Sequence, residues 1–253
     1  MQSPLLDILS GREPVRSYSH PIVGLRTGIV EAEEILTRFK DSEGEFRTVG
    51  SLLVDTRIPK DQRARVDLLC IETIFRALAR NPVPDHLIFV NIDPLTLETP
   101  TFWDRLRPWL WDLAIPPHRI VMEFTEAHAL HDLDSLEAYA RRLRDLELRI
   151  AVDDLGSGVA SLSHMARLAP DFVKVDQSLV RDAHRRPYQA ALLHALAVFA
   201  ETMQVGLIAE GIESEEELEA VTAAGVPWGQ GFIFGAPTPL RLSLAPEDSL
   251  ESH

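Results

Sequence analysis

The sequence predicts an α/β chain folded as a (β/α)8 barrel with an antiparallel first strand. Short apolar runs, rich in β-branched residues, recur without polar alternation, as the strands of a parallel sheet covered on both faces do. Helical patterns alternate with these runs, and the 253 residues hold about eight such units. No G-x-G-x-x-G follows the first apolar run, which puts an open doubly wound sheet second.

Residues 1–20 read as a leading segment, 21–240 as the barrel domain and 241–253 as an acidic C-terminal tail. Ile22 to Leu25 and the run from Ile29 to Leu36 flank an Arg26-Thr27-Gly28 turn, a hairpin that sets the first strand against the second. A helix follows over residues 61–80, with Val66, Leu69, Thr73 and Ala77 on its buried face and Asn81-Pro82 as its stop. Leu87 to Val90 is a strand ending at Asn91. Phe102 to Leu113 is helical but interrupted at Pro108, and its Trp103, Trp109 and Trp111 suit the core or a subunit contact. Arg119 to Met122 is a strand ending at Glu123, and Leu133, Leu136, Ala140, Leu143 and Leu146 mark an amphipathic helix. Ile150 to Val152 runs into Asp153 and Asp154, after which Gly156-Ser157-Gly158 turns towards a short helix around Leu162 to Leu168. Phe172 to Asp176 is a strand carrying Lys174, and a long helix with Pro187 in its first turn stops before Gly206. Val205 to Ala209 is a strand ending at Glu210; Ser214 with Glu217 forms a capping box and Gly225 a C-terminal cap. The last strand is Gly231 to Phe234, with Gln230 at its entrance.

With 45% apolar residues the chain can bury a large core. A formal net charge of −14 argues against a nucleic-acid polymer or an anionic membrane surface as partner. An anionic ligand would therefore need a local reversal of field, which a bound divalent cation supplies. The lone Cys70 excludes an internal disulfide and suits a buried apolar position. Neither a signal peptide nor a transmembrane run stands out, so a cytoplasmic chain is expected.

Strand ends in a barrel of this type converge on one mouth. Glu34, Asn91, Glu123, Asp153, Asp154, Lys174, Glu210 and Gln230 would meet there. So many carboxylates repel unless compensated, and hard oxygen donors are what Mg2+ or Mn2+ require. A bridging aspartate between two ions suits in-line displacement at phosphorus. His128, His131 and the Glu215-Glu216-Glu217 run lack such partners and read as solvated helix surface.

These residues stand in an ordered set: Glu34-Ile35-Leu36-Thr37-Arg38, Asn91-Ile92-Asp93-Pro94, Glu123-Phe124-Thr125-Glu126, Asp153 to Gly158, Lys174-Val175-Asp176, Ala209 to Glu213 and Gln230-Gly231-Phe232. The set resembles the EAL-domain phosphodiesterases over about Pro21 to Pro237. The resemblance implies a TIM-type barrel that hydrolyses cyclic di-GMP, its substrate, to linear pGpG. It implies two divalent cations, Mg2+ or Mn2+, held by Glu34, Asn91, Glu123, Asp153, Asp154 and Glu210, with Asp153 bridging. Lys174 would orient the attacking water and Glu210 would serve as general base. Arg38 would contact a substrate phosphate, Gln230 would line the site, and Glu126 and Asp176 would support the loop after Asp154. A homodimer and a regulatory protein partner are the expected macromolecular contacts. The sequence departs from the family pattern at Ile35, Asp93, Leu155, Val159 and across Phe46 to Lys60, which bears on the guanine-binding edge. Two other readings stay open: a silent receptor for cyclic di-GMP, and a barrel enzyme that abstracts a proton with Lys174 as base.

Overall fold

The structure, a computed structural model, describes residues 8–11, 14–41, 43–53, 55, 57–80, 85–125, 133–156, 165 and 167–240. The ten strands are β1 (Arg16–Gly24), β2 (Val30–Lys40), β3 (Phe46–Thr48), β4 (Leu87–Asn91), β5 (Ile120–Thr125), β6 (Arg149–Leu155), β7 (Phe172–Val175), β8 (Gly206–Ala209), β9 (Trp228–Gly229) and β10 (Thr238–Pro239). Eight of them close into a ring in the order β1-β9-β8-β7-β6-β5-β4-β2, sealed by the β1–β2 pairing, while β3 and β10 extend it at the rim. The pairings from β2 through β9 are parallel. β1 runs antiparallel to both its neighbours, as the hairpin pattern predicted.

The long helices are α1 (Lys60–Arg80), α2 (Pro100–Asp112), α3 (Leu133–Arg144), α4 (Pro187–Met203) and α5 (Glu215–Ala223). The first three pack their apolar stripes on the outer face of β4 to β6, joining Phe75, Phe102, Leu106, Leu136 and Leu143 to Val90 and Val152. The last two close over β7 and β8 through Leu193, Leu196 and Val221. None of the described helices is long and apolar enough to cross a membrane.

The inside of the barrel is a separate layer of Ile22, Ala32, Phe89, Val121, Ala151, Phe172 and Ile208, one from each of seven strands. Phe89 and Phe172 fill its centre edge to face, 5.1 Å apart. Strand side chains repeat every two residues on one face. The next inward residue towards the mouth is therefore set by this layer: Glu34 above Ala32, Asn91 above Phe89, Glu123 above Val121 and Asp153 above Ala151. Lys174 stands above Phe172 and Glu210 above Ile208. On antiparallel β1 the count runs backwards, and His20 stands above Ile22.

Several expectations are corrected. The first strand begins at Arg16, inside the presumed leader, because Tyr18 and Ile22 face the core and pair with β2. The buried stripe of α1 passes through Asp67, Cys70, Ile71, Ile74 and Leu78, leaving Leu69 and Thr73 on its flank. A buried acid displaced the apparent stripe. Pro108 does not interrupt α2, since it lies on the exposed side where the carbonyl of exposed Asp104 reaches water. Trp103 is buried and Trp109 half-buried, but Trp111 is 90% exposed and joins no core. Gly231 to Phe234 is a turn rather than a strand, with the edge pairing ending at Gly229. Glu217 is buried, not solvated, and accepts from the backbone N–H of Glu213 at 2.9 Å. Glu126, Ser157, Gly158, Val159, His128, His131 and most of the Leu162 to Leu168 segment lie outside the described residues, as does the 241–253 tail.

Candidate active site

At the centre of the mouth stands one ammonium. Lys174 Nζ lies 2.6 Å from Glu210 Oε1, 3.1 Å from Glu34 Oε2, 3.4 Å from Glu123 Oε1 and 3.8 Å from Asp153 Oδ1. It is 1% exposed, so these charges meet in a weakly screening interior. Burial alone would strip its proton, yet the surrounding Asp153, Glu123, Glu210 and Glu34 hold its pKa well above the ordinary lysine value.

The carboxyl groups respond in opposite directions. Burial pushes Glu34 up, but Lys174, Gln230 and Asn91 outweigh it and leave the group below the usual carboxylate range. Its Oε1 accepts from Asn91 Nδ2 at 2.7 Å and its Oε2 from Gln230 Nε2 at 2.9 Å. Glu123, fully buried, is driven well above its ordinary value by desolvation, with Lys174 opposing. Burial also raises Asp153, and raises Glu210 to about 8. Glu123, Asp153 and Glu210 thus hold protons more tightly than solvated carboxyl groups would, while Glu34 holds its own less tightly.

Local backbone geometry brings Asp153 and Asp154 together. Successive strand residues point to opposite faces, but Asp154 adopts a left-handed conformation with φ 62°, which aspartate tolerates. The β6–β7 register slips between Val152 and Leu155, and the Asp154 N–H donates to Asp153 Oδ1 at 2.8 Å. Ligand atoms of Asp153, Asp154 and Glu210 then lie within 4.8 Å of one another. Glu123 has both oxygens buried and makes no hydrogen bond. A buried carboxyl group with no hydrogen bond beside three convergent ones is a donor set that fits hard divalent cations. Glu34, Asn91, Glu123, Asp153, Asp154 and Glu210 are the residues that would hold them.

Two cavities of about 280 Å³ each meet at Glu34. One is bounded by His20, Asp154, Glu210, Gln230 and Phe232. The other runs under β2 towards α1, with Ile35, Leu53, Cys70 and Ile74 as apolar wall and Asp67 as a polar one. Asp93 caps the four-residue helix Pro94–Leu97, accepting from Leu95 N–H at 2.8 Å, so this departure keeps a good cap. Ile35 is buried in the outer core and Leu155 in the core around β7 and β8.

Arg38 lies apart from the cluster, its guanidinium 4.8 Å from the centroid of the Tyr18 ring. Asp176 caps the short helix Gln177–Val180 through Ser178 N–H, and its own N–H donates to the Leu155 carbonyl at 3.1 Å. Gly231 passes so close to Ile212 that a Cβ would sit 2.1 Å from its carbonyl oxygen, which holds Gln230 at the mouth. His20, absent from the sequence-based set, lies 2.9 Å from Gln230 Nε2 through Nδ1. Burial lowers its pKa, against the pull of Glu34. Its signal was available: it stands two residues before Ile22 on a strand that enters the barrel from the mouth.

A family model, the EAL domain, matches residues 9–237. Cyclic di-GMP phosphodiesterase PdeA of Borreliella burgdorferi is 28% identical over 228 residues, covering 88% of this chain and 33% of that protein. The chain spans about a third or less of the length of the curated relatives it matches. Klebsiella pneumoniae BlrP1, solved with calcium and cyclic di-GMP, superposes with a TM-score of 0.81 at 26% identity, covering 90% of this chain and 57% of that one. Bacillus subtilis YkuI, with an EAL domain, calcium and cyclic di-GMP, gives 0.80 at 26% identity over 94% and 58%.

Proposed function

This chain belongs to the EAL domain family, and on that premise we propose that it hydrolyses one phosphodiester of cyclic di-GMP to linear pGpG. The observation that carries the reading is the ring of four carboxyl groups around buried Lys174, flanked by two cavities that meet at Glu34. A ring of this composition suits a phosphate flanked by two bases, once cations offset its charge. Two Mg2+ or Mn2+ ions, which Glu34, Asn91, Glu123, Asp153, Asp154 and Glu210 would hold, would supply Lewis-acid stabilisation of the phosphoryl oxygens and a more acidic water.

The chain's own groups then have defined tasks. Lys174 donates to the attacking water and keeps its lone pair directed at phosphorus. The water oxygen forms the new bond to phosphorus as the P–O3′ bond breaks, and Glu210 takes the water proton. The leaving O3′ takes up a proton from solvent and ends as the 3′-hydroxyl of the linear product. Burial raises Glu210 to about 8 in the metal-free cluster, and bound cations would hold it as the carboxylate that accepts this proton. Arg38 offers a planar fork to the second phosphate, held ready by the Tyr18 ring. Asp176, through its backbone N–H on Leu155, would support the loop that follows Asp154.

The same reading places the chain in the cytoplasm, where fractionation would find it. It also includes a homodimer contact on the outer side of α4, where Tyr188, Leu192 and Met203 are exposed at helical spacing. A monomeric mass at all concentrations would remove that contact.

Product analysis tests the chemistry. Purified protein with cyclic di-GMP and Mg2+ or Mn2+ should yield linear pGpG, and both EDTA and Glu34→Ala should abolish it. Tight binding without turnover would make the chain a receptor instead.

A further inference from the structure

The Gln230 amide has two hydrogens, and neighbouring groups on both sides claim them. Its Nε2 lies 2.9 Å from Glu34 Oε2 and 2.9 Å from His20 Nδ1. A carboxylate only accepts, so the nitrogen end of the amide must face Glu34. An amide nitrogen only donates, so His20 Nδ1 must accept and the ring proton must sit on Nε2. The polar atom left for the cavity that Gln230 lines is its carbonyl Oε1. Gln230 is 2% exposed, and the close approach of Gly229 and Gly231 to Ile212 fixes the backbone on either side of it.

We propose that His20 is a positioning residue that locks the Gln230 amide with its oxygen towards the ligand. Gln230 is then an acceptor that selects a hydrogen-bond donor of the substrate and turns away a phosphate oxygen. Resting on the cyclic di-GMP reading, the donor is a ribose 2′-hydroxyl or the guanine 2-amino group. A cross-strand pair places the lock: His20 stands opposite Glu34 in the β1–β2 register. The same residue that holds the amide nitrogen thus shares a rung with the one that reads its second hydrogen.

Two measurements test this, and the first does not depend on the substrate. Nitrogen-15 imidazole spectra of the intact chain without ligand should show His20 protonated on Nε2 alone, and Gln230→Leu should turn that pattern into a mixture of tautomers. A wild-type ring protonated on Nδ1 overturns the lock. In turnover, His20→Ala should raise KM by about fivefold to tenfold, the scale of one neutral hydrogen bond, with kcat within about twofold. His20→Gln should recover most of that loss, because its side-chain carbonyl can accept from Gln230. Equal losses in both variants overturn the positioning role. The 2′-deoxy and inosine analogues identify the donor, since the one lacking it should show no further loss in His20→Ala. If both analogues lose as much as cyclic di-GMP does, the acceptor assignment is wrong. The expected ring pattern with no turnover of cyclic di-GMP by the wild-type chain would overturn the substrate reading and its donor, and leave the lock standing.

Discussion

Of the three glutamates on strand β2, Glu31 and Glu34 lie three residues apart, towards opposite ends of the barrel wall, and are treated in opposite ways. Glu31, near the closed end, accepts from Trp228 Nε1 at 2.6 Å and from Thr27 Oγ1 at 3.0 Å, so uncharged donors satisfy it. Glu34, at the mouth, is bound into a cluster where one ammonium serves several acids and Glu123 is left without a hydrogen bond. Polar groups at the closed end are arranged for stability. Those at the mouth are left under-compensated, which is costly to folding and useful only if a cation and an anionic substrate complete the set.

Lys174→Met should break this contrast most severely. Removing the ammonium leaves Glu34, Glu123, Asp153 and Glu210 facing one another without a counter-charge, and losing one partner of a buried ion pair costs about 3–5 kcal/mol. Denaturant unfolding in EDTA should show that loss, and Mn2+ should restore part of it. Hydrolysis should vanish under either condition. A variant as stable as the wild type in EDTA would mean the cluster is already neutralised by protons.

Glu123→Gln should separate the two properties. Its carboxyl is buried without a hydrogen bond, so the neutral amide should not lower the melting temperature in EDTA. On the proposed two-metal reading, loss of a metal ligand should nevertheless cut turnover by at least about a hundredfold, since even outer partners of a metal site cost 10–100-fold. The rise in melting temperature on adding Mn2+ should shrink with it. A fall in stability without a fall in turnover would make Glu123 structural.

The contrast also explains what the sequence disclosed. The barrel and the mouth were legible because each parallel strand ends with its polar residue two positions beyond an inward apolar one. Glu34, Asn91, Glu123, Asp153, Lys174 and Glu210 follow from that period. His20 did not, because β1 runs the other way and presents its first half to the mouth, where a reading of strand ends does not look. Asp67 misled for another reason: a carboxyl on the buried stripe of α1 looks like a break in an amphipathic pattern. Gly231 to Phe234 looked like a strand by composition, yet the chain must curl around the Ile212 backbone there, as the N–H of Ile212 on Gln230 and of Ile233 on Ile212 shows.

Asp67 offers a test by pH on a carboxyl outside the cluster. Burial, reinforced by the charge of Asp93, raises it from 3.8 to about 7, although the Asp93 N–H donates to it at 3.0 Å. A raised acid binds its proton more tightly in the folded state, so its contribution is full below about pH 4 and is lost as pH climbs towards 7. Relative to Asp67→Asn, the wild type should lose about 2–4 kcal/mol across that window, by 1.36 kcal/mol for each pKa unit. Parallel stability curves for the two proteins would show that water reaches this carboxyl.

Trp228→Phe should give the smallest effect and fall on the other side of the contrast. The indole N–H is the shorter of the two hydrogen bonds to Glu31, and the ring also lies 5.5 Å from Phe172 in the barrel floor. A phenyl ring keeps much of the apolar contact and removes the donor, leaving a half-buried carboxylate with Thr27 alone. That should cost about 1–3 kcal/mol in urea unfolding. Between Trp228 and the mouth stands the apolar layer of Phe89, Phe172 and Ile208, which has no polar group to relay the change. Turnover of cyclic di-GMP should therefore hold within about twofold while stability falls, the reverse of Glu123→Gln. A parallel loss of activity would mean that the floor of the barrel sets the height of Gln230, two residues along the same strand end, and that the two ends are not independent.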